Sequence, residues 1–187
     1  MLAAGSASRF GSQKLLAELG GEPLVRISVR NVLAAGLAPV VVVLGREAAR
    51  VRAALSGLPV TCVENADYLA GLAGSIGAGV KALGPGVTGA AICLGDQPSV
   101  TPALLARLRD AFLACGKPIA APSYRGERGN PVFFDRSLFA ALCALTGDKG
   151  ARDLLAARKA DVALVAIDEP APRDVDTPED LAALRGE

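Results

Sequence analysis

Several loops of this 187-residue chain collect the residue types that handle phosphate. The first reads Gly5-Ser6-Ala7-Ser8-Arg9-Phe10-Gly11-Ser12-Gln13-Lys14 and follows a short apolar run. Small residues let a backbone approach a ligand closely, and the free N–H groups of such a turn form a nest for an anion. Arg9 and Lys14 add two positive charges, which makes the loop a cradle for a triphosphate; a solvated surface loop carrying two cations fits the same residues. Ser12 rather than Lys follows Gly11, so this is not a Walker A loop, and no GxGxxG turn is present. A second loop, Gly95-Asp96-Gln97-Pro98, closes another apolar run. A carboxylate at the end of a central strand offers hard oxygens to Mg²⁺ bridging phosphates, where the plainer alternative is a turn-forming aspartate.

Three further stretches carry chemistry of lower specificity. Gly71 to Gly79 is rich enough in small residues to admit a flat base, or to pack as a tight loop into a helix. Ser123 to Pro131 and Gly147 to Arg152 are glycine-rich and cationic. They could bind an anionic second substrate, though on pattern alone ordinary polar turns are the plainer reading.

Composition narrows the reaction. There is no histidine, which excludes a Ser–His–Asp triad, a Cys–His dyad, a histidine base and histidine-ligated zinc. Twenty basic against nineteen acidic residues, with 4% aromatics and no Trp, argue against a nucleic-acid groove. Cys62, Cys93, Cys115 and Cys143 stand far apart and fall on apolar runs, so the expectation is buried free thiols in a reducing cytoplasm. No apolar stretch approaches the ~20 residues of a membrane span and no signal peptide is evident, so a cytoplasmic protein is expected.

The elements that position these loops alternate in type. Strand-like runs are expected at Met1–Ala4, Pro39–Leu44, Val60–Glu64, Ala90–Leu94, Ile119–Pro122, Val132–Phe134 and Val162–Ile167. Helical spacing links Val25, Val29, Val32 and Leu33; Ala48, Val51 and Leu55; Leu105, Leu108, Phe112 and Cys115; and Leu138, Leu142 and Leu145 within Asp135–Thr146. A last helix opens at Thr177-Pro178-Glu179-Asp180, with a Thr cap, Pro at its first position and acids facing the dipole. Such alternation predicts a Rossmann-like three-layer α/β/α domain over residues 1–187 with a mostly parallel sheet. Ligands of such sheets bind beyond the carboxyl ends of the strands, where the loops at Gly5, Gly45, Asn65 and Gly95 begin. A first strand of four residues is short for a sheet centre, so the chain is expected to begin late.

The run LAAGSASRFGSQKLLAELGGEPL resembles the opening signature of the MobA-like nucleotidyltransferases. GSIGAGV, GDQP, RGNPVFF, GDKGAR and DVDTPEDL continue the resemblance in the family's order. LAAG with GDQP looks like the molybdenum cofactor cytidylyltransferase branch, with the nucleotide-diphospho-sugar transferase type of fold. The resemblance implies a Mg²⁺-dependent enzyme that moves CMP from CTP to the phosphate of molybdopterin and releases pyrophosphate, with a molybdoenzyme or its chaperone as onward partner. GTP as donor, a sugar or alcohol phosphate as acceptor, or a non-catalytic nucleotide-binding chaperone are the competing readings.

The same resemblance assigns residues. Leu2, Ala3, Ala4, Gly5, Ser6 and Gly95 would hold the nucleotide by their backbone, and Arg9 and Lys14 the phosphates. Ser75 would sit beside the pyrimidine, and Asp96 and Asp176 would ligate the metal. Arg9, Lys14 and Asp96 would be catalytic. Arg128, Gly129 and Asn130 would face the acceptor. Phe10 replaces the usual Met, and Asn130 stands where this branch often has His. If Asp96 and Asp176 share one metal, their carboxylates must lie within ~10 Å of each other, since Mg²⁺–oxygen bonds are ~2.1 Å.

Overall fold

The computed structural model describes residues 1–5, 10 and 13–186. In chain order it contains β1 (Leu2–Ala3), a 3-10 turn (Lys14–Leu16), and the small hairpin of β2 (Glu18–Leu19) and β3 (Glu22–Pro23). There follow α1 (Leu24–Ala34), β4 (Val40–Leu44), α2 (Ala48–Ala54), β5 (Val60–Glu64) and α3 (Leu72–Lys81). The remainder is β6 (Gly89–Ile92), α4 (Pro102–Ala114), β7 (Ile119–Tyr124), β8 (Glu127–Arg128), β9 (Val132–Asp135), α5 (Phe139–Cys143), α6 (Arg152–Ala157), β10 (Val162–Ile167) and α7 (Pro178–Arg185).

Apolar content decides where the strands lie. Val40 to Leu44 are all buried, as a central strand covered on both faces requires. β4 pairs in parallel with β1 on one side and β5 on the other, with Leu2 opposite Val43 and Val42 opposite Cys62. The second set runs β10-β7-β9-β6. β1 joins the two. Leu2 N–H donates to the Cys93 carbonyl at 2.8 Å and Gly95 N–H to the Leu2 carbonyl at 2.9 Å, while Val43 N–H donates to the Met1 carbonyl at 2.9 Å on the other side.

The fold is the expected mixed α/β architecture, mostly parallel, with one departure in direction. β9 runs antiparallel to both β6 and β7. The segment between β7 and β9 is a hairpin with no crossover helix, and a parallel return needs a dozen or more connecting residues.

Helix faces follow the apolar spacing. Val25, Val29 and Val32 of α1 pack with Val42, Leu44, Val51 and Leu105 in one core, and Ile76, Val80, Phe134, Leu138 and Leu142 form a second on the other side of the sheet. The expected helix over Asp135–Thr146 is shorter. A 3-10 turn at Arg136–Leu138, capped by Asp135 accepting from Ser137 N–H at 2.8 Å, leads into α5. Cys115 overturns the expectation of buried thiols: α4 ends at Ala114, which leaves Cys115 as an exposed C-cap residue, while Cys93 is buried.

Candidate functional site

The 3-10 turn after the first loop buries Lys14 and Leu15 together. Leu15 anchors in the core, and the ammonium of Lys14 is thereby fixed under the ends of β1 and β6. It donates to Asp96 Oδ2 and to Asp176 Oδ1, each at 2.6 Å. Two such contacts to one nitrogen put the two carboxylate oxygens no more than twice that distance apart. Burial works against the charged ammonium, but the carboxylates of Asp96 and Asp176 outweigh it and hold its pKa above the usual 10.5.

Each carboxylate is positioned by a frame of backbone contacts. Ser28, on the buried face of α1, donates its hydroxyl proton to the Gly95 carbonyl at 3.1 Å. Asn31, one turn on, donates to the carbonyls of Pro98 and Val100, both at 3.0 Å. The loop that bears Asp96 is thus clamped from below. Val175 N–H donates to the Asp96 carbonyl at 3.0 Å, and Val175 is buried against Leu24 and Leu181. With Val175 turned inward, the flanking Asp174 and Asp176 face the other way, as alternate residues of an extended segment do. Asp180 closes the turn: its Oδ2 accepts from the N–H groups of Asp176 at 3.0 Å and Thr177 at 2.8 Å, within a capping box at the start of α7. Those N–H groups hold the Asp180 carboxyl below its ordinary range.

Asp174 is a third carboxylate here that sequence reasoning missed. It accepts from Gln97 Nε2 at 2.7 Å. Half-burial raises its pKa, and the nearby negative charges of Asp96 and Asp176 raise it further. The spacing Asp174-Val175-Asp176 is the signal that could have found it. Ser28 and Asn31 carried a fainter one, as polar residues among the apolar positions of α1.

Asp96 brings the cluster to an open cleft of about 370 Å³, which Leu2, Ala4, Gly5, Tyr68, Leu72 and Ser75 also line. That size suits a small-molecule ligand. Two glycines make the cleft. A Cβ on Gly45 would stand 2.7 Å from the Ala4 carbonyl oxygen and 2.8 Å from Cγ of Tyr68, so only glycine lets β1 and Tyr68 approach. Gly71 has φ 120°, and a Cβ there would meet the Gly147 carbonyl oxygen at 2.3 Å. The same carbonyl accepts from Ala73 N–H at 3.2 Å, which fastens the Gly147–Arg152 loop to the start of α3.

Of the residues expected to bind or react, Lys14, Asp96 and Asp176 meet directly, and Leu2, Ala4, Gly5, Ser75 and Asp96 line the one cleft. Ala3 is buried beside it and Gly95 holds Leu2. Ser6 and Arg9 lie outside the described residues. Arg128, Gly129 and Asn130 are placed elsewhere, on the β7–β8 hairpin, and are not among the cleft's lining residues. Arg128 is exposed, Gly129 lies against the Tyr124 ring, and Tyr124 donates its hydroxyl proton to the Asn130 carbonyl at 2.9 Å. Burial, with Glu169 nearby, pushes the Tyr124 hydroxyl up to about 12, so it stays a neutral donor. No helix among the described residues is long and apolar enough to cross a membrane.

Residues 1–162 match the family model described as the MobA-like NTP transferase domain. The chain is 32% identical to the purine catabolism protein PucB of Bacillus subtilis (strain 168), over 98% of this chain and 93% of that one. Among solved structures it is similar to Rv0371c of Mycobacterium tuberculosis H37Rv, with a TM-score of 0.86 at 34% identity over 100% of this chain and 96% of that one. A manganese complex of the same mycobacterial protein superimposes with a TM-score of 0.82, at 33% identity and with the same coverage. A nucleotidyl transferase from Methanothermobacter gives a TM-score of 0.84 at 26% identity, covering 99% of this chain and 94% of that one.

Proposed function

Because the chain belongs to the MobA-like NTP transferase family, a family of nucleotidyltransferases, we propose that it moves CMP from CTP to the phosphate of molybdopterin and releases pyrophosphate. The observation that carries this reading is the Lys14 ammonium held at 2.6 Å by both Asp96 and Asp176, beside the cleft that Asp96 lines. An ammonium has three N–H donors, and two are taken by the carboxylates. The third has no acceptor among the described residues and is left for a phosphate oxygen.

An oxygen of the acceptor phosphate attacks the α-phosphorus of CTP, the bond from that phosphorus to the β-bridging oxygen breaks, and pyrophosphate departs. A phosphate monoester, with its second pKa near ~6, is mostly dianionic at neutral pH and attacks without a general base. The absence of histidine is therefore no obstacle. Lys14 and Arg9 bind the triphosphate and meet the charge that grows on the leaving group. The backbone of Leu2 to Ser6 and of Gly95 orients the nucleotide.

A divalent cation fits the remaining donors. No three acidic or thiol side chains among the described residues are placed to hold a metal ion together, and two carboxylates suffice for Mg²⁺, which keeps waters and phosphate oxygens in most of its shell. Asp96 and Asp176 would hold it, and its chemistry there is to offset triphosphate charge. The manganese complex of the mycobacterial relative supports a divalent metal.

The buried Ala4 sets the choice of base, since its methyl group crowds a purine at the cleft wall. Arg128, Gly129 and Asn130 take the acceptor as it reaches over the hairpin. Residues 163–187 belong to the same domain, because Asp176 completes the charge cluster. The product passes to a molybdoenzyme or its chaperone in the cytoplasm. The test is pyrophosphate release with each nucleoside triphosphate in the presence of molybdopterin. CTP-dependent release is expected; a tenfold preference for GTP overturns the nucleotide, and release only with a sugar or alcohol phosphate overturns the acceptor.

A further inference from the structure

Ser75 is 2% exposed, yet it is one of the residues that line the cleft. Its oxygen accepts a hydrogen bond from Asn65 Nδ2 at 3.1 Å. Which end of the Asn65 amide faces Ser75 is settled by a second contact: Asn65 Oδ1 accepts from Asp67 N–H at 3.1 Å, a local turn that fixes the oxygen on that side. The backbone of Asn65 is fixed in turn, because its N–H donates to the Leu44 carbonyl at 2.9 Å and so extends the pairing of β5 with β4.

A hydroxyl is one donor with two acceptor lone pairs. With Asn65 donating to it, and with no acceptor for its own proton among the described residues, the Ser75 hydroxyl turns that proton toward the cleft. We infer that Asn65 is a positioning residue that makes Ser75 an O–H donor, so that the cleft selects a base edge presenting a carbonyl oxygen or an unprotonated ring nitrogen. The inference rests on the reading above that this cleft takes the base of a nucleotide. It adds the polarity of the contact and the residue that sets it. Asn65 acts only through Ser75.

The experiment measures CTP binding by calorimetry, and CTP turnover, in the wild type, Asn65→Ala, Asn65→Asp, Ser75→Ala and the double variant Asn65→Ala/Ser75→Ala. One net hydrogen bond corresponds to a loss of about three- to tenfold in affinity. Asn65→Ala and Ser75→Ala should each lose that much, with the loss in KM rather than in kcat. Asn65→Asp should lose at least as much, because a carboxylate only accepts and draws the hydroxyl proton away from the cleft. It keeps the contact to Asp67 N–H, and so carries the test if Asn65→Ala does not fold. The decisive comparison is the double variant, which should bind CTP no more weakly than Ser75→Ala alone. Additive losses, or an Asn65→Asp protein that binds CTP like the wild type, overturn the role of Asn65 and leave the nucleotide reading standing. A wild type that binds no nucleoside triphosphate overturns the reading of the cleft itself, and the inference with it.

Discussion

Lys14 and Asp176 meet at 2.6 Å although 162 positions separate them in the chain, and Asp96 reaches the same ammonium from between them. Two carboxylates this close repel unless a cation stands between them. Here that cation is a side chain, Lys14. One ammonium against two carboxylates still leaves the cluster a net negative charge, and a metal or phosphate that enters must redistribute contacts that already exist.

Replacing Lys14 tests its part in the cluster. Lys14→Met removes the cation and leaves the acids facing each other, and should cost about 2–3 kcal/mol, the scale of charged hydrogen bonds. Because the folded-state pKa of Lys14 is raised above 10.5, its contribution is complete below that value and is lost as pH rises through the higher folded value. Denaturant titrations of wild type and Lys14→Met should therefore differ at pH 7 and converge in strong alkali. Turnover should fall by about a hundredfold or more, the scale of losing one preorganised donor at developing charge.

The two aspartates should not be equivalent. Asp96 is held by Ser28, Asn31 and Val175 through its loop, whereas the Asp176 side chain is 45% exposed. Asp96→Asn should reduce pyrophosphate release to background while the protein still melts cooperatively. Asp176→Asn should retain measurable release and need more metal to reach half-maximal rate. Equal losses would mean that the two carboxylates act as one unit.

Asp174 gives a pH signature of opposite origin. Its pKa is raised by burial and by its acidic neighbours, so the folded state binds its proton more tightly than the unfolded chain does. Stability from this group is present below the unfolded value of 3.8 and is lost as pH rises through the folded value. Asp174→Asn keeps an oxygen for Gln97 and removes that loss. The variant should melt above the wild type at pH 7, by about 1–3 °C for a chain of this size, and the gain should shrink as pH is lowered toward 4.

Gly71→Ala probes the wall of the cleft. Both the φ of 120° and the 2.3 Å approach to the Gly147 oxygen oppose a side chain. The substitution should cost about 2 kcal/mol or more from strain and overpacking. Because the Gly147 carbonyl caps Ala73, it should also weaken nucleotide binding. Calorimetric melting and nucleotide titration of the same sample check both effects.

Much of this arrangement is legible in the sequence, for identifiable reasons. The runs Val60–Glu64 and Val162–Ile167 are strands over those same residues, because β-branched apolar runs between turns leave the chain little else to do. Val25, Val29 and Val32 fall on the buried face of α1 because helical spacing alone puts them there. The direction of β9 was not legible, since it depends on how far the β7–β8 hairpin carries the chain before it returns. Neither were Ser28 and Asn31. Their value lies in which carbonyls α1 happens to cross, and local spacing does not carry that information. Cys115 failed for a smaller reason: its spacing extends the stripe of α4 by one residue beyond the point where the helix stops.

The seam between the two sets of strands has a mechanical consequence. β1 is joined to β4 on one flank and to the Cys93–Gly95 segment on the other, and its end opens directly into the cleft. Tyr68, Leu72 and Ser75 reach the cleft from one flank, Leu94 and Asp96 from the other. Any occupant that touches both walls is also a rivet across the sheet, and its binding energy resists shear of one half against the other. Occupancy of the cleft therefore adds to the cohesion that backbone pairing already gives this seam.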